Sequence, residues 1–560
     1  MIELKDQIKE ILYGYVACRS ITETAGEKSA EAYFLDYFGK QEYFKKHPEL
    51  YGAYPIEEDH LNRAAVFAMV RGEGDDAIVM IHHNDVVGVE DFKLLGDLAF
   101  SPDELNEALA EISDTFADEA RADYESGDYL FGRGTCDMKG GGSIEMALLS
   151  HYAQDPEFRG NVIVLGVPDE ENLSAGMRAG VKLLAELKDK YGLNYRLMIN
   201  TEPHQRKDPE KGVFSFGSIG KLMPFVYIRG SLAHAGKVFE GINPTNIMAE
   251  IVRRTESNTD LSDVVGFEAA PPPTWLYLRE NKEAYDVSMP LTIRGCLSVL
   301  TLSSMPGEFM ERFKGICHDS FQTVVDDLNR SYEKFRKACN KEFVPLPWKA
   351  KVVDFGQLYE EARAGHGEEF ERKYRDKLDE IRHNLDAGEE SLIMANFDLV
   401  DWVYNYIDDL SPRIVTGLMP PYYPHVANCF GFEAERPEIA ELYEKLNAFT
   451  EKTYGQTYVK EYYYTGISDL SYSGIRGSEK LEDDLSKNMP FFGGIYDLPL
   501  SDIEKISMPC VNIGPWGKDF HKLTERVLKE DLYVRTPEIL NYAVKMILGE
   551  QNERIHLRKL

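Results

Sequence analysis

Short apolar runs that stop at histidine or carboxylate residues constrain this chain more than any other feature. Residues 64–70 and 77–82 are apolar and bounded by glycine and aspartate, the pattern of buried strands. Residues 161–167 (NVIVLGV) and 197–199 repeat it. Between them, 141–153 and 175–187 carry helical spacing, as do 4–16 and 30–38 nearer the start. Strands alternating with helices predict an α/β domain built on a largely parallel sheet. Ligands of such sheets gather at the carboxyl ends of the strands, so chemistry is expected where each strand stops.

The character changes after Gly212. Residues 214–229 read as a strand, 244–254 as a helix, 297–302 as a strand and 306–339 as a long helix. The stretch 350–409 is charged and mostly helical, with a break expected at Gly365-His366-Gly367, and 413–417 reads as a strand. Strand signals of the first kind return at 508–513. At 560 residues the chain exceeds what one hydrophobic core usually supports. The simplest organisation is a discontinuous catalytic domain, 1–212 and 431–560. It is interrupted by an inserted domain, 213–430, with an enlarged helical segment at about 310–410.

Composition narrows the partners. A formal net charge of −32 repels phosphate backbones and anionic lipid heads, so neither nucleic acid nor membrane is an expected partner. Seven scattered cysteines without a C-x-x-C pair suit reduced thiols. The amphipathic start lacks a signal-peptide core, and no run approaches the ~18 apolar residues of a membrane span. A cytoplasmic location is expected.

The strand ends carry a His/carboxylate set. The second strand ends His82-His83-Asn84-Asp85, which places His83 and Asp85 on one face and His82 on the other. Further along stand Asp137 within Gly132-Arg133-Gly134-Thr135-Cys136-Asp137-Met138-Lys139-Gly140, then Asp169-Glu170-Glu171, Glu202-Pro203, and His521 after Gly514-Pro515. Two imidazoles and three carboxylates converging on one cleft suit Zn²⁺, or a neighbour such as Mn²⁺ or Co²⁺. Asp137, Glu171 and Glu202 buried together without a cation would repel one another by several kcal/mol.

These segments resemble the zinc aminoacylase, carboxypeptidase and deacetylase superfamily, which includes carboxypeptidase G, the peptidase T tripeptidases and succinyl-diaminopimelate desuccinylase. H-x-D, G-R-G-x-x-D-x-K-G, D-E-E, E-P and G-P…H all occur in order, across about 1–211 and 430–560 and more faintly at the start of the insertion. The resemblance implies a zinc-exopeptidase-like α/β domain, with a mostly parallel central sheet and helices on both faces. An inserted α+β lid or dimerisation domain would interrupt it. By the same resemblance, Asp137 bridges two Zn²⁺ ions, His83 and Glu202 complete one site, and Glu171 and His521 complete the other. Glu170 is the general base, Asp85 orients His83, and the Asp137–Met138 peptide is cis. In the insertion, Gly230-Ser231-Leu232-Ala233-His234 resembles the lid strand whose histidine serves as oxyanion donor, here His234. Tyr464-Thr465-Gly466-Ile467-Ser468-Asp469 resembles a substrate-side loop.

The implied reaction is hydrolysis of an amide bond, in a small peptide or N-acyl amino acid, by a metal-bridged hydroxide. A homodimer is compatible with it. Two departures leave the substrate open. The lid is enlarged, and the arginine that many relatives place before a Pro-Gly turn is absent from Leu300-Thr301-Leu302-Ser303-Ser304-Met305-Pro306-Gly307. Arg413 is the substitute available on another strand. Length and lid resemble a bacterial subgroup named for arginine utilisation; peptide, N-acyl and N-carbamoyl substrates all stay open. The competing readings are a zinc exopeptidase without a dimer-forming lid and a catalytically silent binding or regulatory protein on the same scaffold.

Overall fold

A computed structural model describes residues 3–282 and 286–549. They form two compact units, one of Met1–Ile219, His425–Arg476 and Pro499–Leu560, the other of Gly220–Pro424 and Gly477–Leu498. No helix among the described residues is long and apolar enough to cross a membrane.

The first unit is α/β. Its eight-stranded sheet runs in the order Tyr51–Pro55, Ala64–Val70, Asn161–Val167, Asp76–His83, Asn194–Asn200, Cys510–Asn512, Gly212–Ser215, Tyr458–Glu461. The centre is parallel: Asp76–His83 pairs in parallel with the strands on both its sides, and Asn194–Asn200 pairs in parallel with Cys510–Asn512. The middles of these strands are largely apolar and buried because both faces are covered. On one face the helix Lys139–Gln154 packs against the sheet and beneath Leu4–Val16, whose Leu4, Ile8, Ile11, Leu12 and Tyr15 recur at helical spacing. On the other, Gly180 of Ala175–Tyr191 lets that helix settle against Leu165 and Val167.

The second unit holds a sheet ordered Thr274–Glu280, Thr292–Thr301, Pro224–Arg229, Arg413–Leu418, Val352–Asp354, with Gly220–Leu222 also paired to Thr292–Thr301. Helices Pro244–Thr255 and Pro306–Ala338 pack together beside it. The enlarged helical segment adds Phe355–Asp386 and Leu392–Tyr404. The first of these breaks at Gly367, where φ is 58°, a backbone that glycine adopts without strain. A lid-type unit with a multi-stranded sheet argues against the zinc exopeptidase that lacks one.

Two sequence expectations change. Residues 214–229 are not one strand: Gly212–Ser215 belongs to the first sheet and Pro224–Arg229 to the second, with the short strands Gly217–Ser218 and Gly220–Leu222 between them. The stretch 477–498 groups with the second unit rather than with 431–560. The helix Ser478–Asn488 buries Leu481 and Leu485 against Pro306–Ala338 and Phe355–Asp386, and Tyr374 donates its hydroxyl to the Pro490 carbonyl at 3.1 Å.

Candidate metal centre

The strands Asn161–Val167, Asp76–His83, Asn194–Asn200 and Cys510–Asn512 are consecutive neighbours. Their carboxyl ends deliver Glu170 and Glu171, His83, Glu202 and, through a further loop, His521. Asp137 arrives from the turn before Lys139–Gln154. That helix start approaches the strand ends closely. A Cβ at Gly141 would lie 2.4 Å from the Thr201 carbonyl oxygen, and one at Gly142 would lie 2.5 Å from the His82 ring. The Asp137–Met138 peptide is cis, as the resemblance implies.

Asp137 stands at the middle of the group. Its Oδ1 lies 3.1 Å from His83 Nε2, and its Oδ2 lies 3.1 Å from His521 Nε2. Glu202 Oε1 is 3.4 Å from the same His83 nitrogen, and Glu171 Oε1 is 3.1 Å from the same His521 nitrogen. The structure therefore brings together all five residues read as ligands, in two groups that share Asp137. Each group offers donor atoms within 4.8 Å of one another, and so does the set His83, Glu170 and Glu171. His83 is buried, whereas the His521 side chain is 49% exposed, so one half of the cluster is the more open to solvent.

His82 points the opposite way, as alternation requires: its Nδ1 meets Glu145 at 2.7 Å and its Nε2 the Tyr15 hydroxyl at 3.1 Å. Asp85 departs from the expected arrangement. The closer partner of His83 Nδ1 is the Asp85 main-chain carbonyl at 3.0 Å; the carboxylate is 3.6 Å away. That carboxylate instead accepts the N–H groups of Glu170 and Glu171, at 3.1 and 3.2 Å, and the Thr22 hydroxyl at 2.7 Å. It fixes the turn that presents both glutamates.

His234 belongs to the second unit, where it is exposed and its Nδ1 accepts the Gly236 N–H at 3.0 Å. Arg413 is fully buried, with its guanidinium on Glu361 at 2.8 Å and Asp409 at 3.0 Å, so it has no free fork for a substrate carboxylate.

Sequence reading missed Glu525. Fully buried, it accepts the N–H groups of Gly134 (2.8 Å), Asp137 (3.3 Å) and Cys136 (3.4 Å) on one oxygen and pairs with buried Arg133 through the other. A lone glutamate four residues past His521, beside Lys522 and Arg526, reads as solvated loop; only its burial marks it.

The donor set fits a cation. Burial, then Asp137, push Glu202 up to about 8, and burial raises Glu171 and carries Glu170 well above the carboxylate range. His521, hydrogen-bonded to Asp137 and Glu171, is raised to about 10. Burial works against a charged His83, but Glu202, Asp137 and Asp85 outweigh it. Burial and crowded negative charge drive these shifts, and a cation would relieve both. Among the described residues no lysine or arginine pairs with Asp137, Glu170, Glu171 or Glu202. Imidazole and carboxylate donors in these numbers match zinc and similar divalent ions.

Fold and donor set together define a metal-dependent hydrolase. The chain belongs to Peptidase family M20/M25/M40, whose sequence profile matches residues 113–536. It is similar to the uncharacterized protein YqjN of Bacillus subtilis (strain 168), 29% identical over 552 residues that cover 98% of this chain and 97% of that one. It is also similar to protein RocB of the same organism, 28% identical over 533 residues, 94% of this chain and 92% of that one. RocB bears out the expected likeness to the subgroup named for arginine utilisation. Two solved structures share the fold. A family M20 metallo-carboxypeptidase from Sulfolobus solfataricus aligns at TM-score 0.52 and 12% identity, over 97% of this chain and 100% of that one. The aminopeptidase PepT from Bacillus cereus aligns at 0.50 and 12%, over 98% and 99%.

Proposed function

We propose that this chain cleaves the amide bond of a small peptide or N-acyl amino acid with two divalent cations, zinc foremost. His83, Asp137 and Glu202 would hold one, and His521, Asp137 and Glu171 the other. The observation that carries the reading is the Asp137 carboxylate, each oxygen of which lies 3.1 Å from a different imidazole, each imidazole flanked by its own glutamate. Two such cations supply a polarised amide carbonyl and a water acidic enough to ionise at a pH of about 7.

Glu170 is the proton carrier in this reading. It is bound to neither imidazole, yet an oxygen of its carboxyl lies within 4.8 Å of ligand atoms on His83 and Glu171. From there it takes the proton of the attacking water and delivers it to the leaving nitrogen. Asp85 keeps it in place through the hydrogen bond from the Glu170 N–H. His234 is assigned the developing oxyanion by the lid motif it shares with the family; one such donor typically contributes about 3–4 kcal/mol.

The test is metal content per chain, measured by elemental analysis after loading with Zn²⁺, Mn²⁺ or Co²⁺, beside hydrolysis of a panel of dipeptides and N-acyl amino acids. Two equivalents are expected, removed together with turnover by a chelator. A single tight equivalent would overturn the shared-Asp137 arrangement, and none would leave the binding-protein reading in first place.

A further inference from the structure

Alternation along Pro224–Arg229 puts Phe225, Tyr227 and Arg229 on one face of the second unit's sheet. The helix Leu392–Tyr404 covers that face: Phe225 meets Phe397 at 5.8 Å between ring centroids, Tyr227 stacks on Tyr404 at 5.3 Å, and the Arg229 guanidinium lies 5.7 Å from the Tyr404 ring centre. Beside Arg229 opens a cavity of about 560 Å³, walled by Arg229, Lys377, Asp398, Asp401, Trp402 and Tyr404 among others. It is a shallow recess, open to solvent over much of its extent. Every lining residue belongs to the second unit, and none has a part in the metal centre.

The wall carries unused hydrogen-bonding groups of both signs. Arg229 forms no ion pair with any described residue, and its Nε is buried without a partner. Tyr404 is 7% exposed, and its hydroxyl is likewise buried and unpartnered. Buried donors of this kind are nearly always satisfied in a working structure, and a planar guanidinium fork matches a carboxylate. Lys377, engaged with Glu380 at 2.8 Å, adds positive charge to the same wall. Asp398 and Asp401 supply the opposite sign. Arg294 reaches them at 2.9 and 3.5 Å, and Tyr227 donates its hydroxyl to Asp401. Their side chains nonetheless remain 46% and 44% exposed, with acceptor capacity to spare.

We propose that this cavity binds a free α-amino acid as its zwitterion. The carboxylate sits on Arg229, the ammonium on Asp401 and Asp398, and the side chain lies along Trp402. A ligand carrying both charges meets Arg229, whose Nε has no partner, and also the acceptor capacity that Asp398 and Asp401 keep beyond their contacts with Arg294. The proposal stands independently of the metal chemistry.

The experiment is calorimetric titration of the full-length, metal-loaded protein with three probes: L-leucine, 4-methylpentanoate (leucine without its amine) and L-leucinamide (leucine without its carboxylate). Leucine should bind, with each analogue weaker by about tenfold or more. R229Q should weaken leucine by a similar factor. D401N, which keeps an acceptor for Tyr227, should weaken leucine while leaving 4-methylpentanoate unchanged. Trp402 emission should respond to leucine, and W402F should abolish the response. Melting curves establish that each variant is folded, and D401N stands as an independent test should R229Q fail that check. If leucine, and then alanine and glutamate titrated in the same way, all leave heat and emission unchanged, the cavity is not an amino-acid site. Should R229Q bind leucine as the parent does, the heat belongs to the metal centre and the assignment is overturned.

Discussion

The carboxylate of Glu525 accepts the backbone N–H of Asp137 at 3.3 Å, across 388 positions of sequence. The same oxygen takes the N–H groups of Gly134 and Cys136, and the other oxygen pairs with Arg133, itself buried and held to the Gly88 carbonyl. The aspartate shared by both halves of the cluster is therefore positioned by a side chain that touches no candidate ligand atom.

Replacing Glu525 should accordingly act through metal affinity. E525A leaves three amides and a buried guanidinium without their acceptor, and the Asp137 turn loses its anchor. Loss of an outer partner of a ligand typically costs about 10–100-fold in metal affinity. E525Q keeps one acceptor oxygen and should fall between parent and E525A. Competition with a calibrated chelator reads this directly. Unchanged affinity in E525A would show that the turn holds Asp137 unaided.

Glu170 and His521 should separate cleanly. E170Q retains the shape of the side chain but removes the proton acceptor, so both metal equivalents should remain while turnover falls by about 10²–10⁴-fold. H521A takes a donor from one half of the cluster only, and one of the two equivalents should be lost. Elemental analysis alongside steady-state rates distinguishes them. An E170Q protein that turned over normally would move the base to another residue.

Three of the five candidate ligands were legible in the sequence because they lie within a few residues of a strand end, where an apolar run and its polar terminus sit side by side. His83, Glu171 and Glu202 are of this kind, and the alternation that sends His82 toward Glu145 follows from strand geometry alone. Glu525 was not legible, since its role depends on a contact nearly four hundred residues away. The Asp85 carboxylate was read as the partner of His83 because the two share a face. The Glu170 and Glu171 amides share it at shorter range, and no local pattern announces a backbone donor. The same holds for 477–498, whose helix is amphipathic in sequence but does not declare which unit covers its apolar side.

Arg413 should matter for stability rather than for substrate binding. Its guanidinium is wholly buried and shared between Glu361 and Asp409. R413A removes hydrogen bonds to charged partners that are typically worth about 1.5–3 kcal/mol each, so its melting temperature should drop. KM for whichever amide proves to be the substrate should not rise, because a KM effect at unchanged kcat reports lost substrate contacts. A raised KM in a normally stable R413A would restore this residue to the carboxylate-binding role.

Acid sensitivity of the second unit should trace in part to Asp263. Its Oδ2 accepts the N–H groups of Leu302, Ser303 and Ser304, at 2.9, 2.9 and 2.7 Å, and its Oδ1 the Ser304 hydroxyl. Burial opposes the charge, but these donors outweigh it and hold the carboxyl below its ordinary range. A depressed acid contributes its stability in full above the unfolded-state pKa, about 3.9, and loses it as pH falls through the lower folded value. D263A should therefore melt well below the parent at pH 7, with three amides left unanswered. The gap should narrow as pH is taken from about 4 downward, since the parent then surrenders the same interaction. Thermal melts of both proteins across that range give the answer: a gap that stays constant into acid would mean the Asp263 carboxyl is not held in its charged form by the 302–304 turn.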